Sequence, residues 1–178
     1  MTTNVVFEPV DKSNVQRLRE LNLQLFPVRY NLAFYKEVVS SPPGYAQLGK
    51  RTKLGKLTSF DTMYLWSACV GSYAVGAICC RREPVKEGPE GLERTYIMTL
   101  GVLESYRRAR IGSQLLEKVV AQSAQDGVVQ VYLHVQTSNS AALRFYRSHG
   151  FEATQILRDY YKHIEPPDCY VLRRQLTP

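Results

Sequence analysis

The stretch from Tyr96 to Ser113 constrains the fold more than any other part of this 178-residue chain. Tyr96-Ile97-Met98-Thr99-Leu100-Gly101-Val102-Leu103 is a β-rich run, Glu104 to Arg110 turns abruptly basic, and Ile111-Gly112-Ser113 opens a helix carrying Leu115, Leu116, Val119 and Val120 on one face. Strand, turn and helix in immediate succession indicate helices layered on a sheet. The same junction leaves unpaired N–H groups and a partial positive charge at the helix start, with Arg107, Arg108 and Arg110 beside them, so it suits a diphosphate. Taken alone, a solvated arginine turn with a glycine chosen for packing would read the same way.

Upstream, Val5 to Val10 reads as an opening strand, Ser13 as the N-cap of a helix burying Val15, Leu18, Leu21 and Leu25, and Pro27 as its stop. Asn31 caps a second helix carrying Leu32, Tyr35, Val38 and Val39, ended by Ser40-Ser41-Pro42-Pro43-Gly44. Periodicity then fades, and Lys50, Arg51, Lys53 and Lys56 lie among Gly, Ser and Thr, so a mobile basic insertion is expected at 44–62. Tyr64 to Val70 and Tyr73 to Arg82 form a hairpin about Gly71-Ser72, followed by a charged loop from Glu83 to Gly91.

Downstream, Gly127 ends the helix that Ile111 opens, and Gln130 to Val135 is a strand. Val131, Leu133 and Val135 share one side of it, with Tyr132, His134 and Gln136 on the other. Ser138 or Asn139 caps a helix running through Ala142, Leu143 and Phe145-Tyr146 to Gly150, and Phe151 to Leu157 and Cys169 to Leu176 are strands. Seven mostly antiparallel strands with about four helices predict one α/β layered domain over residues 1–178.

A 44% hydrophobic and 22% charged composition excludes disordered and fibrous classes. No run approaches the roughly 18 apolar residues of a membrane span, and Met1-Thr2-Thr3-Asn4 does not open a signal peptide, so a cytoplasmic location, with the nucleus second, is expected. The net charge of +7 favours a negatively charged partner such as nucleic acid, ribosomal RNA, an acidic protein face or a polyphosphate cofactor. The basic residues are scattered, at Arg81-Arg82, Arg107-Arg108-Arg110 and Arg173-Arg174, which counts against sequence-specific nucleic-acid recognition. Cys69, Cys79, Cys80 and Cys169 have no CxxC spacing, so core packing as free thiols is expected and no metal is indicated.

The strand, cap and helix order returns at His134-Val135-Gln136-Thr137-Ser138-Asn139-Ser140-Ala141-Ala142 and Phe145-Tyr146-Arg147 to Gly150-Phe151. This N-S-A-A-x-x-F-Y-x-x-x-G-F helix, paired with the RRxxIG turn at 107–112, resembles the GNAT acetyltransferases. The resemblance implies the GNAT fold: a mixed, mostly antiparallel seven-stranded sheet whose splayed central strands hold acetyl-CoA. Phe26-Pro27-Val28-Arg29-Tyr30-Asn31, Tyr96 to Gly101, Tyr132 to Gln136 and Tyr160 to Pro166 narrow the likeness to N-alpha-acetyltransferases of the NatE catalytic type.

By that resemblance, backbone groups around Leu100, Gly101 and Val102 hold the acetyl carbonyl and pantetheine. Arg107, Arg108, Ala109, Arg110, Ile111, Gly112 and Ser113 take the phosphates, and Asn139, Ala142 and Tyr146 lie along the cofactor. Tyr96 and His134 form the catalytic pair around ordered water. Phe26, Pro27, Val28, Tyr30 and Met98 wall a first-residue pocket, with Tyr160, Tyr161 and Ile164 on the opposing loop. The chemistry is consistent, because aminolysis of a thioester needs a neutral amine, and an N-terminal amine near pKa 8 requires only a modest base such as histidine. Read from the residues alone, His134 is equally a hydrogen-bonded histidine in a polar patch, Tyr96 a core tyrosine, and Phe26 and Val28 the closure of the first helix on the core.

One position departs from the family pattern. The turn usually reads R-R-x-G-x-G, but Arg110 stands where the first glycine belongs. If φ there is positive, arginine costs on the order of 1 kcal/mol; if not, its charge adds to phosphate binding. The expected activity is transfer of acetyl from acetyl-CoA to protein N-terminal amines, preferably Met-initiated with an apolar second residue. Partners are the N-terminal peptide and, by extension, the NatA complex and the ribosome. A weakly active or inactive subunit docking on NatA, and a lysine or small-amine acetyltransferase, are the alternatives.

Overall fold

The computed structural model describes residues 4–26, 30–40, 45–51, 57–85, 89 and 91–176. They gather into two compact units that interleave along the chain, Met1–Glu83 with Ile97–Ala121, and Pro84–Tyr96 with Gln122–Pro178. Each is built from a different part of the sequence pattern.

In the first unit, β1 (Val6–Pro9), β2 (Tyr45–Arg51), β3 (Leu57–Val70) and β4 (Tyr73–Pro84) are joined by α1 (Val15–Leu25) and α2 (Leu32–Ser40). Strand β3 pairs antiparallel with β1, β2 and β4. Leu18 and Leu21 on one face of α1 are 2% and 1% exposed, and they join Val10, Tyr35, Leu65, Cys69 and Cys79 in the core. The start of α1 differs from the reading of Ser13 as cap, since Asn14 holds that position. The Asp11 carboxylate accepts both the N–H (2.7 Å) and the hydroxyl (2.6 Å) of Ser13, keeping that residue outside the helix. Asn31 does cap α2, its side-chain oxygen accepting the Phe34 N–H at 2.9 Å.

The stretch expected as a loop at 44–62 contains β2 and the opening of β3, in register from Tyr45↔Tyr64 to Arg51↔Leu57 with an irregularity between Gly49 and Arg51. Backbone pairing rather than apolar alternation makes such a strand, and charged residues are ordinary there, so hydrophobic periodicity does not reveal it. Residues 41–44, including Pro42-Pro43-Gly44, and 52–56 lie outside the described residues. Strand β4 is buried from Ala74 to Cys80, so Cys79 and Cys80, on opposite faces, are both covered. A Cβ on Gly76 would meet Ile111 Cγ2 at 3.1 Å and the Gly101 carbonyl at 3.3 Å, so β4 carries a glycine at its tightest passage.

The second unit holds the first half of β5 (Glu93–Val102), then β6 (Gln130–Gln136), α4 (Ser140–Ser148), β7 (Glu152–Leu157) and β8 (Cys169–Gln175). Strands β5 and β6 run parallel with Arg94↔Gln130, Thr95↔Val131 and Tyr96↔Tyr132 in register; β6 with β8 and β8 with β7 are antiparallel. Val131, Leu133 and Val135 are buried as their alternation predicts. Helix α3 (Ile111–Gln125) spans the boundary between the units and is followed by Gly127 at φ +72°, the left-handed terminator expected there. The seven expected strands are all present with β2 as an eighth, mostly antiparallel, together with four α-helices among the described residues.

Candidate active site

Register alone puts Tyr96 and Tyr132 side by side on β5 and β6, and His134 two residues further along the same face of β6. The Tyr96 hydroxyl lies 3.2 Å from His134 Nδ1. The rings of Tyr96 and Tyr132 are 4.9 Å apart, and His134 meets both edge-on at 5.4 and 5.9 Å. Burial pushes the Tyr96 phenol well above the ordinary tyrosine range, reinforced by Tyr160, Tyr132 and Tyr161. Tyr96 therefore remains an O–H donor at neutral pH, and the group in the pair able to accept a proton there is the imidazole. The two residues singled out from sequence are thus brought together.

The second half of β5 leads to the basic turn. Val102 ends the strand, its carbonyl accepting from Arg107 Nε at 3.2 Å, and Leu103 N–H donates to the Val75 carbonyl at 2.9 Å. A short 3-10 turn at Glu104–Tyr106 precedes Arg107, Arg108, Ala109 and Arg110, all exposed. Arg108 and Arg110 both take positive φ, +64° and +59°. The Arg110 carbonyl accepts the Gln114 N–H at 3.0 Å, so α3 springs from a left-handed residue and its first N–H groups, at Ile111, Gly112 and Ser113, belong to the turn. Exposed guanidinium groups beside a helix start fit a diphosphate. The condition left open by the sequence is met: position 110 has the backbone conformation that favours glycine.

Of the expected first-residue pocket, Pro27 and Val28 lie outside the described residues. Phe26 follows α1 directly, its N–H donating to the Asn22 carbonyl at 3.0 Å. Tyr30 stacks on Phe34 at 4.6 Å and is hydrogen-bonded by the Thr99 side chain. Burial, then Cys79 and Tyr35 nearby, pushes its phenol up to about 12. Met98 and Tyr30 are partly buried against the first unit's core. A Cβ on Gly101 would stand 2.7 Å from Leu25 Cδ1 and 3.0 Å from Phe26 Cζ, so within this unit the expected cofactor strand and the expected pocket wall touch through a bare hydrogen.

In the second unit the segment between β7 and β8 carries Tyr160, Tyr161 and Ile164. Asp168 braces it, pairing with Arg158 and accepting the Asp159 N–H at 3.0 Å; these bonds hold its carboxyl below the usual range. Gln136 Nε2 donates to the Pro166 carbonyl at 2.8 Å, and Tyr161 N–H to the Pro167 carbonyl at 2.9 Å. Tyr160 and Ile164 are exposed, while Tyr160 stacks on His134 with centroids 4.6 Å apart. Asn139 caps α4, its side-chain oxygen accepting the Ala142 N–H at 3.0 Å, and Tyr146 is buried edge-on to Phe145 and Phe151.

Three participants were not singled out from sequence. Tyr132 packs against both members of the pair, Arg94 lies 4.4 Å over the Tyr132 ring, and Thr99 neighbours the Tyr30 phenol. The period-two pattern contained the signal for the first two, since Arg94 and Tyr96 share a face of β5 as Tyr132 and His134 share one of β6. Among the described residues no group of three or more His, Cys, Asp and Glu is placed to hold a metal ion.

Residues 16–151 match the acetyltransferase (GNAT) family. The chain is 39% identical over 168 residues to N-alpha-acetyltransferase 50 of Danio rerio, covering 94% of this chain and 86% of that one. It is 36% identical to a probable N-acetyltransferase san of Drosophila melanogaster, covering 94% and 78%. Among solved structures it resembles Arabidopsis thaliana Naa50 in complex with the bisubstrate analogue CoA-Ac-MVNAL, at 37% identity and a TM-score of 0.73, over 96% of this chain and 97% of that one. A basic turn that opens a helix, a tyrosine–histidine pair on neighbouring strands and a match across most of the sequence converge on one conclusion: the chain belongs to the GNAT acetyltransferase family.

Proposed function

We propose that the protein transfers acetyl from acetyl-CoA to the N-terminal amine of proteins, with a preference for Met-initiated N-termini bearing an apolar second residue. The observation that carries this reading is the 3.2 Å approach of the Tyr96 hydroxyl to His134 Nδ1 inside an aromatic cluster. Relatives named as N-alpha-acetyltransferases, and one solved with a CoA-peptide analogue beginning with methionine, support it. Arg107, Arg108, Arg110 and the first N–H groups of α3 would hold the phosphates, and bound acetyl-CoA supplies an activated acyl thioester. His134 Nδ1 takes the proton released by the attacking amine by relay through the Tyr96 hydroxyl bonded to it, which passes one proton to the ring as it accepts another, so that Tyr96 is protonated before and after. Phe26, Tyr30 and Met98 offer apolar and aromatic surface suited to a methionine side chain.

The test is a mass-shift assay with acetyl-CoA and a peptide beginning Met-Leu, beside the same peptide with a blocked N-terminus and an internal lysine. Acetylation of the free α-amine alone is expected, with His134→Ala and Tyr96→Phe each lowering kcat by about 100-fold or more. Acetylation confined to lysine, or full turnover in both variants, would overturn the reading. Docking on the NatA complex at the ribosome is the partner we propose for the basic surface, and co-sedimentation with ribosomes at low and high salt tests it.

A further inference from the structure

Tyr160 lies outside the strands yet reaches the same nitrogen as Tyr96. Its hydroxyl is 3.3 Å from His134 Nδ1, against 3.2 Å for Tyr96, and its ring lies at 24° to the imidazole with centroids 4.6 Å apart. A residue that only walled a side-chain pocket would need neither contact. A neutral ring nitrogen has one in-plane lone pair and accepts one good hydrogen bond, so two hydroxyls at Nδ1 compete for it. With Tyr96 and Tyr160 both within reach, Nδ1 is held as an acceptor whichever of the two donates.

We propose that Tyr160 is a positioning residue for the acetyl-transfer reaction, fixing the His134 ring by stacking and keeping Nδ1 as an acceptor of a hydroxyl hydrogen bond. This rests on the reading of His134 as the base. Among the groups facing the imidazole are Tyr96 from β5, Tyr132 from β6, Tyr160 from the loop and, by register, Val171 from β8, with Arg173 two residues along β8 opposite Tyr132. Arg94 stands one ring away, over Tyr132, and Tyr161 is edge-on to Tyr160 at 5.0 Å. Against this aromatic surround, a hydroxyl donating to Nδ1 favours the neutral imidazole, so its removal raises the pH at which His134 loses its proton. The loop's bracing gives the arrangement its rigidity, through Arg158, Asp168 and the Gln136 bond to the Pro166 carbonyl.

The experiment compares wild type, Tyr160→Phe and Tyr160→Leu by imidazole nitrogen NMR and by pH–rate profiles with a Met-Leu peptide. Tyr160→Phe keeps the stack and loses the hydroxyl. It is expected to shift the His134 tautomer balance, to move the acid limb of kcat upward by about half a pH unit and to lower kcat about 10-fold, with KM within about two-fold. Tyr160→Leu should add a wider spread of ring orientations. His149, at the end of α4, serves as the internal reference and its signals should not move. A raised KM with kcat, acid limb and His134 signals unchanged would overturn the proposal and leave Tyr160 as a substrate wall. The NMR signals do not depend on turnover. Absence of acetylation by the wild type would therefore defeat the proposed function while the His134 spectra still decide the geometry.

Discussion

At position 110 the backbone takes a conformation that a side chain resists. Arg110 sits at φ +59° at the start of α3, and Arg108 two residues earlier at +64°. A left-handed non-glycine residue costs on the order of 1 kcal/mol, while an exposed guanidinium beside a phosphate contributes a similar amount at low salt. Arg110→Gly should therefore raise Tm by about 2–4 °C and weaken acetyl-CoA binding a few-fold, with a shallower salt dependence. Differential scanning calorimetry and titration calorimetry at two salt concentrations measure both; a gain in affinity would mean that strain outweighs charge at this position. The conflict was legible as an arginine where a glycine is usual, but its sign was not, because φ is a property of the folded turn.

Elements were legible where burial writes a pattern. Val131, Leu133 and Val135 alternate into the interior, Leu18 and Leu21 line one face of α1, and the placement of Tyr96 beside His134 follows from that alternation plus the register. The signal fails where hydrogen bonds decide. Asp11 captures Ser13 and passes the cap to Asn14, and β2 is held by pairing with β3 while its composition reads as loop. The segment between β7 and β8 is of the second kind, since its shape rests on Asp168 and Arg158 rather than on an apolar face. Asp168→Ala should loosen residues 158–168 and let Tyr160 leave His134. Peptide kcat/KM is expected to fall about 10-fold while Tm changes little, and faster amide exchange confined to this segment would accompany it. Exchange unchanged there would show that the backbone bonds of Pro166 and Pro167 suffice.

For the whole molecule, buried phenol and thiol groups set the behaviour in alkali. Burial raises Tyr30 from an ordinary 10.0 and Cys79 from an ordinary 9.0, each to about 12. Both are held protonated in the folded chain and ionise sooner in the unfolded one. Their stabilising contribution is complete below about pH 9 and is lost as pH climbs toward 12. Urea midpoints should stay level from about pH 7 to 8.5 and then fall, with Cys79→Ala flattening the first part of the decline and Tyr30→Phe the part above about pH 10.

The four free cysteines are all buried, two of them back to back in β4. A thiol-alkylating reagent consequently finds no target on the intact surface. Each label that does attach dates a moment when the interior stood open, and the thiols become a recorder of the fold's own breathing.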